Sequence, residues 1–566
     1  MSQERPVVVS SGERSTPENK LPRPKWLFAL LAIPTFCMPL PVLILAGMFL
    51  FGRAKSLPVW IGWPVAAEIV ITILLWPVYL FWVLLSKRLR VIDKILWAFI
   101  IIVLNVFGMP WFYVRMVRVY VGHKPGRKVV YAVLGSIAAV AAGLLVALAS
   151  ANAIYAKRFE AKVRAYREAG EKAQMIELIP GDTDVPDEEN AATFYEKAYA
   201  KLNELPEDIR TKMAVMPSWK EWTQEQKVDA GSILIEVKDV RRLIREADAR
   251  PRCRFRPGGY TPVTVPSSLK PTNRLGTFLS FHARAQLSVD NVSGAAEDCA
   301  MQLRLAAAYD RELKGSYTIM GFLTAKSTLR RLAETLDSGD PSEGSLRRLD
   351  EALGDADSRE AAVFAMKCNR ASGLLFFKEA ISNVGSLGQF SFLPVGSEGG
   401  LLPAYFCRAT LGRDGVWYLG LMDRYVACAA KPYWQSKAER EALNRELNDT
   451  MRNARLFMLS RTITPGLPRE LEIMEETIAR KSCAKLAVAL RRCRMKHGSY
   501  PDTLDVLAPE FLDRLPVDPF SGKLPVYRRE GGGFVIYSVG PEGKDHGGVE
   551  NPEDQDHSDI VWKCSR

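Results

Sequence analysis

Residues 486–566 read LAVALRRCRMKHGSYPDTLDVLAPEFLDRLPVDPFSGKLPVYRREGGGFVIYSVGPEGKDHGGVENPEDQDHSDIVWKCSR, and this stretch decides the fold of the C-terminal end. It opens inside an amphipathic helix that starts near Leu471, where Cys483, Leu486, Leu490 and Cys493 recur at i, i+3, i+7 and i+10. Lys496-His497-Gly498 predicts its stop, because cations suit the negative helix end and glycine suits a left-handed cap. Tyr500-Pro501 leads into a predicted short helix, DTLDVLAPEFL, with Asp502 as its N-cap. LPVYRRE, GGG and FVIYSVG then predict a β-hairpin with Val526, Phe534 and Ile536 inward, and IVW near the end predicts a last strand.

Upstream of this module the periodicity is helical. NAATFYEKAYAKLNEL puts Phe194, Ala198 and Leu202 on one face, behind the acidic start Asp187-Glu188. Between Thr272 and Leu336, TNRLGTFLSFHARAQLSV presents Leu275, Phe278, Leu279 and Ala283, and AAEDCAMQLRLAAAYDREL presents Leu303, Leu305 and Ala306. Helices of this length with tight turns predict α-hairpins of tetratricopeptide type, with no period clean enough to make a repeat array. Residues 251–271 and 382–411 read as Pro/Gly-rich loops, the second of which covers the helical domain or marks a partner site. Arg413-Asp414-Gly415 reads as turn chemistry.

The N-terminal part differs in kind. Trp26–Phe51, Val59–Leu85, Ile95–Val114 and Val129–Tyr155 are apolar stretches, each long enough at ~1.5 Å per residue to cross a hydrocarbon core of ~30 Å. The chain's formal net charge is +12, and residues 1–156 hold 16 Lys/Arg against five Asp/Glu. The rest is thus nearly neutral, and a nucleic-acid partner is not expected. The fold class expected is four membrane helices, then a mainly helical domain of hairpins, then a small α+β domain. The expected divisions are a basic tail (1–25), a transmembrane domain (26–155), a helical domain (156–465) and a C-terminal domain (466–566). Positive charges flank the apolar stretches, so a lipid bilayer is the expected partner, together with protein partners of the helical domain. The corresponding location is a bacterial cytoplasmic membrane, crossed several times. The charge count leans toward both termini inside by the positive-inside rule. Glu68, alone among apolar residues, reads either as a carboxylate in a transport path or as a residue near the headgroups.

No motif recommends an enzyme. The five histidines include no HExxH pair, and the nine cysteines include no CxxC. His282 reads as a satisfied helix residue. No phosphate loop, nucleophile elbow or dinucleotide fingerprint occurs.

One run of motifs is specific. His497-Gly498, Tyr500-Pro501, Leu504, Leu515-Pro516, Asp518-Pro519, Tyr527, Tyr537-Ser538, Gly540, Gly543, Gly547-Gly548, Asp559-Ile560 and Trp562 follow in this order. The order resembles the globular domain of the major pseudopilin of type II secretion systems, over residues 480–562. The resemblance implies an α+β fold and a calcium-binding loop between the last strands. Glu542 and Asp559 stand at the family's acidic positions, Glu542 where the family has Asp. Asp545, Asp554 and Asp556 are further metal-ligand candidates in a loop lengthened by ENPEDQDH. Calcium takes about six to eight oxygens, which a flexible acidic loop supplies. The resemblance and the calcium argument favour an extracytoplasmic side for the helical and C-terminal domains. The role that follows is assembly, interaction or scaffolding, possible in secretion; the alternative is a transporter or membrane enzyme that uses Glu68, with the rest of the chain as regulator.

Overall fold

The computed structural model describes residues 75–86, 89–104, 108–121, 127–171, 185–215, 219–255, 269–312, 318–382, 401–452, 459–550 and 558–565. The chain forms two compact units, Met1–Ile154 and Tyr155–Arg566, each described by itself.

In the first unit a helical stretch over 75–85 is followed by α1 (Val91–Leu104), α2 (Gly108–Val121) and α3 (Arg127–Glu168), within which the division falls. α1 and α2 pack through Trp97, Ile101, Met109 and Phe112, with the Trp97 and Phe112 rings 5.4 Å apart. Their 14 residues each span only ~21 Å at ~1.5 Å per residue, against ~30 Å for a hydrocarbon core. α3 is longer, but from Lys157 onward it is densely charged. Among the described residues no helix is long and apolar enough to cross a membrane. This corrects the expected four-helix membrane domain, and with it the multi-pass location in a cytoplasmic membrane. The stretch Trp26–Phe51, residues 59–74 and Glu68 lie outside the described residues.

The second unit is a helical body with one small sheet. Its helices are α4 (Ala191–Glu204), α5 (Glu207–Val215), α6 (Gln224–Glu236), α7 (Lys238–Asp248), α8 (Leu269–Ser288), α9 (Val292–Glu312), α10 (Thr318–Ser338), α11 (Glu343–Leu353), α12 (Arg359–Ser382), α13 (Leu401–Ala429), α14 (Tyr433–Arg452), α15 (Ser460–Ile463) and α16 (Leu467–His497). β1 (Val526–Glu530), β2 (Gly533–Ser538) and β3 (Ile560–Cys564) form an antiparallel sheet in the order β1-β2-β3.

Three apolar cores hold this unit. α4, α6, α7 and α8 bury Ala198, Leu202, Ile233, Ile244, Phe278 and Leu279 together. Asn190 caps α4 by accepting the N–H of Ala192. A second core joins α12, α13 and α14 through Phe377, Tyr418, Met422 and Leu443. Here part of an expected loop and an expected turn prove helical. Residues 401–411 open α13, residues 383–400 lie outside the described residues, and Arg413-Asp414-Gly415 sits inside the helix. Asp414 is buried and works as a clasp: its carboxylate accepts the N–H of Leu459 at 2.8 Å, the N–H of Ser460 at 3.3 Å and the Ser460 hydroxyl. Burial pushes its pKa up to about 7.

The third core decides where the C-terminal module sits. Leu329, Leu332 and Leu336 of α10, Leu346 and Leu349 of α11, Leu486 and Leu490 of α16, and Phe534, Ile536 and Trp562 of the sheet belong to one buried cluster. The sheet is thus packed into the body along α16. Arg491 fastens it there: fully buried, its guanidinium donates to the Asp340 carboxylate, the Leu336 carbonyl and Cys564 Sγ. α16 ends as its sequence predicts, at Gly498 with φ 80°, whose N–H reaches the Arg494 carbonyl at 2.7 Å. The expected helix DTLDVLAPEFL shrinks to one 3₁₀ turn, Leu504–Leu507, which Thr503 precedes. Asp502 caps nothing; it pairs with Arg529 at 2.6 Å on the surface.

Candidate functional site

Around the sheet, two turns are built on buried aspartates. In Asp518-Pro519-Phe520-Ser521-Gly522-Lys523, one oxygen of Asp518 accepts from the Phe520 N–H at 3.2 Å and the Ser538 hydroxyl at 2.6 Å. The other accepts from the Ser521 N–H at 3.2 Å and the Ser521 hydroxyl at 2.8 Å. These bonds satisfy a carboxylate that burial would otherwise penalise. Phe520 then packs edge-on against Tyr433 of α14 at 5.0 Å, which joins the turn to the helical body.

Asp559 closes the loop between β2 and β3. Its carboxylate accepts the N–H of His546 at 3.2 Å and of Gly548 at 2.8 Å, and its own N–H donates to the Val549 carbonyl at 2.9 Å. Gly547 and Gly548 have φ of 75° and 77°, a conformation that side-chain-bearing residues rarely adopt. Asp545 accepts from the Gly547 N–H at 2.8 Å and the Tyr537 hydroxyl at 2.9 Å. Those donors hold its carboxyl below the ordinary range, the Gly547 N–H most of all, while burial and the Asp545 contact push Tyr537 up to about 12. Glu542 faces Lys544 at 2.5 Å and His546 at 3.1 Å.

The described metal candidates, Glu542, Asp545 and Asp559, therefore do not form a group placed to hold a metal. Asp559 and Asp545 serve inward-pointing N–H groups, the opposite of the carbonyl oxygens that a calcium ion draws on. Among the described residues, no group of three or more His, Cys, Asp or Glu is placed to hold a metal. Asp554 and Asp556 lie outside the described residues. His282 is buried on α8, with Nδ1 2.5 Å from Asp298, which Arg241 also engages at 2.7 Å. That arrangement ties α7, α8 and α9 together and presents nothing to solvent.

A cleft of about 500 Å³ lies between α10, the first half of α16 and the start of β3. Its walls carry Arg330 and Glu334 from α10, Glu472, Glu476 and Arg480 from α16, and Glu550 from the loop. Arg480 pairs with Glu550 at 2.8 Å, and Glu476 is engaged by Lys326 and Arg469. Bases beside the walls offset these acids, with Arg469 also pairing with Glu472 at 2.8 Å and Arg331 lying 3.9 Å from Glu334, so the cleft presents both signs of charge.

Its floor includes the outer edge of β3. In a two-residue hairpin the residues flanking the turn, Glu530 and Gly533, exchange hydrogen bonds, so Gly533, Val535 and Tyr537 bond to β1. Phe534, Ile536 and Ser538 then bond to Cys564, Trp562 and Ile560 of β3. The backbone groups of Asp559, Val561, Lys563 and Ser565 face away from the sheet. Two of these are closed off: the Asp559 N–H by Val549, and the Ser565 N–H by the Asp337 carboxylate at 2.8 Å. Val561 and Lys563 remain, their outward N–H and C=O groups without a hydrogen-bond partner among the described residues. Val561 borders the cleft.

The sequence singled out the acidic loop but not this edge, because an edge is a property of pairing order. No family model, no curated protein and no solved structure matches this chain.

Proposed function

We propose that the chain is an interaction protein: a helical scaffold that receives an extended segment of a partner protein in the cleft beside β3. The observation that carries this reading is the edge at Val561, bordered by Asp559 on one side and Lys563 on the other. A strand laid there would gain main-chain hydrogen bonds from groups that have no hydrogen-bond partner among the described residues, the binding mode known as β-augmentation. Burial of Trp562 and Ile560 under β3 keeps the edge rigid, so little ordering is required of the receiving side. The pseudopilin-like order of residues 480–562 is consistent with such a role, since it places the sheet on α16 as a compact platform.

A library of displayed extended peptides, selected against the full chain, tests the reading. Extended peptides should emerge, bind in the micromolar range, and lose about tenfold or more when Val561→Pro removes one edge donor. Proline is accommodated at this outward position, so the sheet's circular dichroism should stay unchanged. Binding that ignores Val561→Pro and follows another surface would overturn the proposal.

A further inference from the structure

In the first unit a set of apolar side chains faces outward. Among the described residues, ten exposed large hydrophobics fall between Val78 and Trp111. On α1 they form one face: Ile92 is 79% exposed, Ile95 66%, Leu96 53% and Phe99 62%. That spacing of three and four residues places them side by side. The opposite face of α1, with Trp97, Ala98 and Ile101, is the one that packs against α2. The stretch 75–85 repeats the pattern, with Phe81, Leu84 and Leu85 outward and Tyr79 and Val83 inward. On α2, Trp111 is 58% exposed.

The charge around this face has one sign. Residues 75–128 contain nine Lys/Arg (from Lys87 to Lys128) and a single acid, Asp93. Arg90 and Arg115 are exposed beside the apolar face. A folded chain in water rarely displays so much contiguous apolar area without a partner. Helices this short cannot cross a bilayer, but a helix with one apolar face and basic neighbours can lie in the interface, its apolar side in the acyl boundary and its cations among phosphates. Tryptophan at the rim suits the same depth.

We infer that the first unit rests on an anionic lipid surface through the outward face of α1, joined by Phe81, Leu85 and Trp111, without crossing it. Arg90 and Arg115 supply the headgroup contacts. Lys94 is already committed in part, its ammonium donating to the Leu84 carbonyl at 2.9 Å.

Flotation of the full chain with vesicles of phosphatidylcholine, with and without phosphatidylglycerol, tests this. The chain should float with the anionic vesicles, less so at high salt, and the triple variant Ile92→Glu/Ile95→Glu/Phe99→Glu should float about tenfold less with its helical circular dichroism intact. Should the triple variant lose its helix content, a bimane probe on Ile95→Cys decides instead: its emission shifts to the blue with anionic vesicles if the face is inserted. Undiminished flotation of a folded triple variant, or no bimane shift, would overturn the inference, because attachment would then run through another segment. A chain that stays behind and sediments as a dimer, with the probe shifted in the absence of lipid, would equally overturn it by assigning the face to a second copy.

Discussion

Two regions of this molecule use the same apolar residue types and point them in opposite directions. Along α16 the leucines and cysteines turn inward, and Leu486 and Leu490 are fully buried against α10, α11 and the sheet. Along α1 the isoleucines, Leu96 and Phe99 turn outward while the helix packs by a narrower stripe. Apolar content is therefore no guide to what a segment touches. The neighbours that the topology brings decide it: α16 has helices on one side and a sheet on the other, whereas α1 has α2 and the stretch before it. The same comparison separates the two proposals, a protein partner for the second unit and a lipid surface for the first.

The comparison breaks most readily at Arg491. Arg491→Ala removes three bonds at once and leaves the buried Leu336 carbonyl only the weak Cys564 thiol at 3.8 Å as donor, so the second unit should lose about 3–5 kcal/mol in chemical denaturation. A loss below about 1 kcal/mol would mean that the sheet is held by apolar contact alone.

Asp414 gives a pH test of the same unit. Its folded pKa of about 7 lies above the ordinary 3.8, so the folded chain keeps a proton that the unfolded chain releases. Its contribution to stability is therefore largest below pH 3.8 and declines as pH rises to about 7. At ~1.36 kcal/mol per unit the decline is no more than ~4 kcal/mol. Asp414→Asn should flatten that slope in thermal unfolding followed between pH 4 and 8; an unchanged slope would assign the titration elsewhere.

Paired truncations sharpen the contrast directly. Leu490→Ala should cost about 2–5 kcal/mol because it opens a cavity in a closed core. Ile92→Ala should cost under about 0.5 kcal/mol, because its side chain already faces outward. Equal costs at the two sites would show that the face of α1 is covered in solution.

What was legible in the sequence follows from how local each feature is. The stripe on α16, its Gly498 stop and the inward Phe534 and Ile536 depend on near neighbours in the chain and appear as predicted. The helical faces of α8 and α9, with Leu275, Phe278, Leu279, Leu303 and Leu305, do so for the same reason. Asp502 and the Arg413-Asp414-Gly415 run misled, because their partners are distant in sequence: Arg529 for the first, and Leu459 and Ser460 for the second. The apolar stretch Ile95–Val114 predicted a single spanning helix, and its described residues fall in two helices, α1 ending at Leu104 and α2 starting at Gly108. The acidic loop drew attention through composition, yet Asp545 and Asp559 spend their oxygens on N–H groups that only the folded loop assembles. The cleft itself had no sequence signal, since α10 and β3 stand more than 200 residues apart.

Amide hydrogen exchange at Val561 tests the central claim most directly. In the free chain the Val561 and Lys563 amides should exchange fast while those of Ile560 and Trp562 are protected, and a selected peptide should protect Val561 and Lys563 as it binds. Slow exchange at Val561 before any peptide is added, or no gain in protection at saturating peptide, would contradict the account.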